Sequence, residues 1–440
     1  MGRTRRTANL YVSMNGQGVG ILSRAATGRL EFSYREDWLR AEQGRSLSLS
    51  MPLGERVYTG DTVENFFDNL LPDSQPIRNR IQARFGASSN RCFDLLWHVG
   101  RDCVGALQLT PDEAPPEVRR IEAKPLTDSQ IAETLRNYRT MPLGMRDDED
   151  FRISIAGAQE KTALLRLDGQ WRLPRGTTPT SHIFKLPIGQ IEHSGMDLSD
   201  SVENEWLCHL ILKAYGLAVA HAEMGVFDGV KALVVERFDR RWAPDRSWLM
   251  RLPQEDMCQA LNIPPALKYE SDGGPGIVRI MELLFGSVES LHDRRTFMTL
   301  NLLFWLLAAI DGHGKNFSIF LLPGGGFRLT PAYDVMSAYP LVAKKQLVRQ
   351  KLKMAMALTG RSRHYDWSHI FHRHWLATAK QGRFPAEEMD AVINDVLERM
   401  DEVIDQVGNR LPATFPESVA GPVFAGLVAA REKLARSKQG

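Results

Sequence analysis

Apolar and polar residues alternate through much of the first hundred positions, a pattern typical of β-strands. Leu10–Met14 and Val19–Leu22 flank the turn residues Asn15-Gly16-Gln17-Gly18, so we predict a β-hairpin there. We predict a third strand over Arg29–Tyr34. Ser46–Met51 alternates serine with apolar residues and is predicted as a half-buried strand that ends at a proline. The N-terminal region is therefore expected to be β-rich.

Prolines mark the end of this region. A strand-like segment over Val104–Thr110 is followed by four prolines within 15 residues, at positions 111, 115, 116 and 125. Thr127, with Gln130 three positions later, resembles a capping box that opens a helix through Tyr138. We place a domain boundary between residues 111 and 150.

The second half of the chain has strands first and then mainly helices. Strands are predicted at 151–155, 161–167, 181–186 and 231–236. The clearest helix begins at Pro385, repeats apolar residues with a period of 3.6 and ends at Gly408. We predict an α+β fold with two lobes: a β-rich N-terminal domain (1–125), a mixed α/β lobe (126–240) and a mainly helical lobe (241–440).

Composition is close to the globular average. The 440 residues are 43% hydrophobic and 25% charged, so a sizeable core is expected. The longest unbroken apolar run, Leu302–Ile310, is nine residues, too short to span a membrane. The N-terminus lacks the apolar region of a signal peptide, and the four cysteines show no C-x-x-C spacing. We expect a soluble, cytoplasmic protein.

The near-zero net charge hides an asymmetry. Between Leu341 and Arg383 the chain has ten lysines and arginines against one acid, so this window carries a net +9 although the whole chain carries only +2. The rest of the chain is therefore net acidic. A solvated face and an anion-binding or nucleic-acid-binding patch are equally good interpretations of this window.

The segment Asp311-Gly312-His313-Gly314-Lys315-Asn316 carries the strongest chemical signal. An Asp and an Asn five residues apart match the kinase catalytic loop, where Asp accepts the substrate hydroxyl proton and Asn holds Mg²⁺. Asp334 follows behind a hairpin-like segment over 319–329, where kinases keep their main metal ligand. Asp311 alone would more often be an ordinary surface residue. The combination favours phosphoryl transfer.

Three upstream segments fit a nucleotide site less specifically. Phe151–Thr162 joins two strand-like pieces by small residues that let backbone N–H groups approach a phosphate. It is not a Walker A sequence, and taken alone a plain β-turn is the better interpretation. Lys185 lies in a hydrophobic strand, where its charge is costly unless the side chain extends to solvent or meets an anion such as a nucleotide phosphate. The strand over Val234–Glu236 ends in charged residues. This pattern fits a hinge whose backbone reads adenine and equally fits an exposed strand end.

Together these motifs resemble the HipA family, bacterial serine/threonine kinases that act as the toxin of toxin–antitoxin pairs. The resemblance runs nearly end to end and departs from the family in a seven-residue N-terminal extension, in 341–365 and in the C-terminal tail. It implies a protein-kinase-like, phosphoinositide-kinase-like core with a β-containing N-terminal domain. The matching blocks are 46–53, 66–73, 151–161, 236–242, 252–256 and 311–316.

The resemblance also implies a role for each motif. Asp311 would be the catalytic base, and Asn316 and Asp334 would bind Mg²⁺. The implied ATP-binding residues are Ala156, Gly157, Ala158, Gln159, Glu160, Lys161 and Lys185 at the phosphates, Glu236, Arg237 and Phe238 at the adenine, and His313, Gly314, Lys315 and Tyr333 beside the nucleotide.

Substrate, partners and regulation are likewise implied. The family's toxicity is attributed to phosphorylation of glutamyl-tRNA synthetase, which promotes dormancy and persistence. A helix-turn-helix antitoxin of the HipB type binds the kinase and operator DNA, and Lys380 and Arg383 match toxin positions that touch DNA. Ser154 matches an autophosphorylation site whose modification switches the kinase off. A phosphate charge beside a phosphate-binding loop would have this effect, because it would repel the nucleotide. No membrane partner is expected.

A second class of function stays open at this point. The chain would instead be a catalytically weak, kinase-like scaffold that represses transcription together with its antitoxin. Failure of the purified protein to bind Mg-ATP would favour that alternative.

Overall fold

The computed structural model describes residues 8–137, 161–191 and 195–438. The chain divides into two compact units. Unit 1 comprises Met1–Leu186, Gly225–Ala266 and Ser318–Phe327, and unit 2 comprises Pro187–Met224, Leu267–Phe317 and Arg328–Gly440. Unit 1 thus takes residues from all three domains predicted from the sequence, and the boundaries at 125 and 240 stay predictions.

An antiparallel five-stranded sheet forms the N-terminal part of unit 1, with strand order β4-β3-β2-β1-β5. Asn15 and Gly16 connect the first two strands with φ of 48° and 80°, the left-handed pair that a tight hairpin turn requires. The predicted hairpin and third strand are confirmed. The elements are β1 (Ala8–Met14), β2 (Gln17–Arg24), β3 (Leu30–Tyr34), α1 (Glu36–Arg40), β4 (Val57–Thr59), α2 (Asp61–Asp68), α3 (Gln75–Phe85), α4 (Cys92–Val99) and β5 (Leu107–Thr110).

A six-stranded sheet follows, with strand order β12-β13-β9-β7-β8-β6. The predicted capping box is confirmed, because Thr127 and Gln130 exchange side-chain to backbone hydrogen bonds of 3.3 and 3.0 Å. The predicted strand at 151–155 lies outside the described residues. The elements are β6 (Ala123–Pro125), α5 (Asp128–Asn137), β7 (Lys161–Leu167), β8 (Gln170–Pro174), β9 (His182–Lys185), β10 (Gly189–Ile191), β11 (Met196–Leu198), α6 (Ser201–Ala214), β12 (Ala222–Phe227) and β13 (Val230–Glu236).

The remainder of the chain is mainly helical, as predicted. Its elements are β14 (Arg240–Trp242), β15 (Leu249–Arg251), β16 (Gln254–Asp256), α7 (Met257–Ala260), α8 (Ile277–Leu284), α9 (Ser290–Leu306), β17 (Ser318–Leu321), β18 (Phe327–Leu329), α10 (Tyr339–Ala343), β19 (Lys353–Thr359), β20 (Arg363–Asp366), α11 (His372–Gln381), α12 (Ala386–Glu398), α13 (Met400–Gly408) and α14 (Glu417–Lys438). The hairpin expected after Asn316 is β17 and β18.

Each unit has its own apolar core. In unit 1 the core joins the inner faces of both sheets and includes Phe32, Phe67 and Phe184, all fully buried. In unit 2 the indole rings of Trp305 and Trp367 stack with centroids 5.4 Å apart, and each N–H donates to the other residue's carbonyl. Among the helices of the described residues, none is long and apolar enough to cross a membrane.

The predicted strand over Ser46–Met51 is wrong. The segment is a turn with a single bridge between Ser48 and Met51. Its polar groups bond to side chains instead of a neighbouring strand, since Ser48 Oγ and the Leu49 amide both donate to the carboxylate of Glu255, at 2.5 and 2.8 Å.

The prediction of a single helix from Pro385 to Gly408 is also wrong, because the structure has two helices, α12 and α13. The break falls at Arg399, whose φ and ψ are −81° and −6°. The Arg399 guanidinium donates to the carbonyls of Ala214 and Tyr215 at the end of α6, which fixes this residue at the junction. The predicted apolar face is nevertheless buried or half-buried along both helices.

Candidate active site

The end of α9 determines where Asp311 lies. After the helix ends at Leu306, the chain reverses through Ala308, which takes a left-handed φ of 49°. Gly312 then passes the ring of Phe304 so closely that a Cβ would lie 2.4 Å from a ring carbon, so only glycine fits there. This buried, tightly packed turn holds the neighbouring Asp311 side chain exposed.

Backbone hydrogen bonds hold the segment from Asp311 to Asn316, which we call the catalytic loop. The His313 amide donates to the Asp311 carbonyl at 2.8 Å, and the Gly314 amide donates to the Lys268 carbonyl at 3.1 Å. The Asn316 amide donates to the His313 carbonyl at 2.9 Å, which closes a single 3-10 turn over Gly314–Asn316. The shape of the loop is therefore fixed by backbone hydrogen bonds.

Tyr269 is a functional candidate that the sequence did not indicate. Its hydroxyl donates to Oδ1 of Asp311 at 2.6 Å, and its ring packs edge-on against His313 with centroids 5.0 Å apart. This hydrogen bond orients the carboxylate while leaving it accessible to solvent. No spacing rule links positions 269 and 311, so the contact is visible only in the fold.

Asn316 and Asp334 are brought together, as the predicted metal site requires. The side-chain amide nitrogen of Asn316 donates to the backbone carbonyl of Asp334 at 3.1 Å. The Tyr333 hydroxyl donates to the backbone carbonyl of Lys315 at 2.8 Å. Asp334 has a left-handed φ of 62°, a conformation that Asp tolerates better than most residues. Carboxylate and amide oxygens are hard donors that suit Mg²⁺, so the residues present fit such an ion.

Two lysines of unit 1 face each other on adjacent strands. Lys161 on β7 and Lys185 on β9 are register partners, so their side chains leave the same face of the sheet. Lys185 is only 6% exposed. Like charges placed opposite each other on a sheet are unfavourable, and an anion between them would offset that repulsion.

The predicted hinge lies at the end of β13. Glu236 is exposed and is the register partner of His182 on β9. The Arg237 amide donates to the Ser181 carbonyl at 2.9 Å. The Arg237 guanidinium is buried among carboxylates, and the Arg237 carbonyl accepts from the Arg240 amide at 3.0 Å, so the polar groups of this residue already have partners within the protein. Phe238 is half-buried.

The other predicted site residues divide into two groups. Ala156 to Glu160 and Ser154 lie outside the described residues, so their roles stay predictions. Lys380 and Arg383 are exposed at the end of α11. The carbonyl of Arg383 accepts a hydrogen bond of 2.6 Å from buried Arg294, which fixes the backbone beneath these two cations.

Comparison with known proteins gives consistent results over most of the chain. The chain is 32% identical to the putative kinase Y4mE of Sinorhizobium fredii over 97% of this chain and 98% of that protein. It is 28% identical to the serine/threonine-protein kinase toxin HipA of Shewanella oneidensis over 76% of each. The solved complex of Shewanella oneidensis HipA, HipB and operator DNA contains a chain that matches with a TM-score of 0.81 and 25% identity, over 97% of both chains.

Models of two domains match as well: the HipA N-terminal domain over residues 10–110 and the HipA-like C-terminal domain over residues 153–404. The second match alone covers more than half of the chain. The predictions of an α+β kinase-like fold and of an enzyme of the kinase class are confirmed by these relatives. Sequence motifs, fold and family models thus agree, and the chain belongs to the HipA family.

Proposed function

We propose that this protein is a serine/threonine kinase toxin that transfers the γ-phosphoryl group of ATP to a protein serine. The observation that carries the proposal is the catalytic loop, on which an exposed Asp311 carboxylate is oriented by Tyr269 and followed by Asn316 bonded to Asp334. Asp311 would accept the proton of the attacking hydroxyl. The oxygens of Asn316 and Asp334 would hold Mg²⁺, which when bound neutralises phosphate charge.

We assign the ATP phosphates to the face of the sheet that carries Lys161 and Lys185, together with the segment Ala156–Glu160. The facing lysines support this assignment because a polyphosphate would stabilise both of them. The adenine would lie against the backbone of Glu236–Phe238, with His313 and Tyr333 beside the nucleotide.

The substrate in our proposal is glutamyl-tRNA synthetase in the cytoplasm, and its phosphorylation would arrest growth. The test is incubation of the purified protein with Mg-ATP labelled at the γ-position, with purified glutamyl-tRNA synthetase and, separately, with cell extract. Label on a serine of the synthetase is expected, and Asp311→Asn is the catalytically inactive control. Label on another protein would show that the proposed substrate is wrong. Failure of the purified protein to bind Mg-ATP would favour the scaffold alternative.

We also propose a HipB-type antitoxin and operator DNA as partners. The exposed Lys380 and Arg383, within the basic window of 341–383, support a contact with DNA phosphates. A co-repressor function in addition to kinase activity is consistent with this placement.

Ser154 is our proposed site of autophosphorylation. A second copy of the enzyme would modify it, and the added charge beside the phosphate-binding segment would abolish ATP binding. Mass spectrometry of wild-type protein and of Asp311→Asn, with ATP affinity measured on each form, tests this. Phosphate at Ser154 with normal ATP affinity would contradict the switch.

A further inference from the structure

Five charged side chains of unit 1 form a buried ion cluster that no part of the proposed chemistry uses. The cluster contains three arginines and two aspartates, so it carries one net positive charge. Every member is 7% exposed or less. Buried charges are costly unless they are paired, and apolar side chains of similar size would often give an equally stable core. The members are Asp102, Arg237, Asp239, Arg240 and Arg251.

Asp102 is the centre of the cluster. Its Oδ2 accepts hydrogen bonds from the Thr180 hydroxyl at 2.7 Å and from Arg237 Nη1 at 3.2 Å. Its Oδ1 accepts from Arg240 Nη2 at 2.8 Å and from Arg251 Nε at 3.2 Å. One carboxylate therefore contacts three guanidinium groups.

The cluster connects two segments that are distant in sequence. Residues 102–105 lie just before β5, within the part of the chain that matches the HipA N-terminal domain. The Cys103 carbonyl accepts from Arg237 Nη2 and from Arg240 Nη2, each at 2.9 Å. The Gly105 amide donates to Asp239 at 2.7 Å. Residues 102–105 are thus bonded at several points to residues 237–240, which directly follow the hinge at Glu236.

The balance of charge shows which member holds the cluster together. Burial alone would raise the pKa of Asp102, but Arg240, Arg237 and Arg251 outweigh it and lower that pKa. Burial lowers the pKa of Arg251 to about 10, against the attraction of Asp102. Within the described part of the chain, Arg251 Nη1 is buried without a hydrogen-bond partner. Asp102 is thus shared among three cations, and its removal would leave Asp239 as the one carboxylate of the cluster that holds Arg237 and Arg240.

We propose that Asp102 is a positioning residue for the nucleotide. Through Arg237 and Arg240 it fixes the backbone of Glu236–Phe238, so the N-terminal domain sets the affinity of the enzyme for ATP. This inference rests on the proposed kinase function and on the assignment of adenine to that backbone. It predicts that a change at residues 102–105 alters ATP binding while the chemistry at Asp311 is unchanged.

The test measures ATP affinity, KM for ATP and kcat for wild type and Asp102→Asn. We expect a rise of about tenfold in Kd and KM for ATP, with kcat at saturating ATP within about twofold of wild type. We also expect weaker discrimination between ATP and GTP, because a displaced backbone reads the base less strictly. Unchanged affinity and base preference in a folded Asp102→Asn would overturn the inference.

A double variant separates positioning from stability. Asp102→Asn combined with Arg251→Met restores the net charge of the cluster without restoring the bonds to Arg237 and Arg240. We expect this double variant to regain thermal stability while KM for ATP stays high. Recovery of both would show that Asp102 acts only as a counter-charge, and would contradict positioning.

Thr180→Val is the mildest variant, since it removes only the hydroxyl that bonds both Asp102 and Arg237. We expect a rise of about threefold in KM for ATP with kcat unchanged, and no rise would contradict the inference. Arg24→Met is the matched control, because it breaks an ion pair with Asp94 elsewhere in unit 1 and should leave KM unchanged. Absence of ATP binding by wild type would instead refute the proposed function, so the two failures are distinguishable.

Discussion

Asp102 and Asp311 are two aspartates of one chain in opposite surroundings. Asp102 is 3% exposed and accepts hydrogen bonds from three arginines and from Thr180. Asp311 is exposed and accepts a 2.6 Å hydrogen bond from Tyr269. A carboxylate that receives a proton from a substrate has to remain accessible, whereas one that orders the backbone has its lone pairs occupied by donors.

The interactions that hold the chain in place around the two aspartates differ as well. Around Asp102 the segments are held by charged side chains that reach across the fold. Around Asp311 the loop is held by backbone amides and by a glycine that packs against Phe304. The charge of Asp311 is therefore not needed for the shape of the loop. The comparison predicts that substitutions at the two aspartates separate activity from stability.

Replacement of Asp311 by asparagine should have the largest effect on activity. Asn keeps the volume and can still accept from Tyr269, but it cannot take up the substrate proton. We expect the rate of phosphoryl transfer to fall by about 10²–10⁴, with the unfolding transition and ATP affinity close to wild type. Single-turnover kinetics and thermal denaturation check this. Wild-type turnover by the variant would remove the catalytic assignment.

Asp102→Asn should show the opposite behaviour in a denaturation experiment. Removal of one partner from a buried ion cluster leaves uncompensated cations, so the free energy of unfolding should fall by about 3–5 kcal/mol. Urea denaturation followed by fluorescence measures this decrease. A stability equal to that of Asp311→Asn would show that the two surroundings are energetically equivalent, contrary to the comparison.

Glu255 provides a third case, a buried carboxyl whose hydrogen-bond donors among the described residues are neutral. Burial raises the pKa of Glu255 to about 8 and the nearby Asp256 adds to the rise, although Ser48 and Leu49 donate to the carboxylate and act in the opposite direction. The folded state keeps a proton that the unfolded chain loses near pH 4.5. The contribution of Glu255 to stability is therefore fully present at or below that pH and is lost as the pH rises toward 8, by up to about 1.4 kcal/mol per unit.

Glu255→Gln should flatten this dependence, because an amide has no proton to lose. Urea denaturation of wild type and variant between pH 5 and pH 8 is the measurement, with the exposed Glu42→Gln as control. An equal slope in wild type and Glu255→Gln would show that another group is responsible.

Tyr269→Phe should have a smaller effect on the rate. The variant keeps the ring against His313 and lacks only the hydroxyl that orients Asp311. One hydrogen bond to a charged group contributes about 1.5–3 kcal/mol when buried and less at an exposed site, so we expect a fall in kcat of about tenfold or less. Unchanged KM for ATP would locate the effect in the chemical step. An unaltered kcat would mean that the hydrogen bond does not orient the base.

Replacement of both Lys380 and Arg383 by alanine should change neither the kinase rate nor the stability appreciably. If these residues neutralise DNA phosphates, DNA binding in the presence of antitoxin should weaken. The slope of the salt dependence should then decrease by about one for each phosphate that is no longer neutralised. Titrations of operator DNA at several salt concentrations measure this slope. An unchanged slope would assign the pair to a solvated face.

Several features could be predicted from the sequence because they depend on neighbouring residues. The hairpin at Asn15-Gly16, the capping box at Thr127 and the spacing from Asp311 to Asn316 are all local. The error at Ser46–Met51 has the opposite cause, since the alternation there is typical of a strand but the polar groups bond to Glu255, about two hundred positions away.

The sequence by itself determined the family, the β-rich beginning, the helical end and the candidate residues of the catalytic loop, because each is encoded in short motifs and periodic patterns. Only the tertiary structure decided which charged side chains stabilise the fold. Arg237 was predicted at the adenine, yet its guanidinium lies in a cluster with Asp102, and Tyr269 was not predicted, yet it bonds Asp311. These partners lie tens to more than a hundred residues apart, and only folding brings them within hydrogen-bond distance.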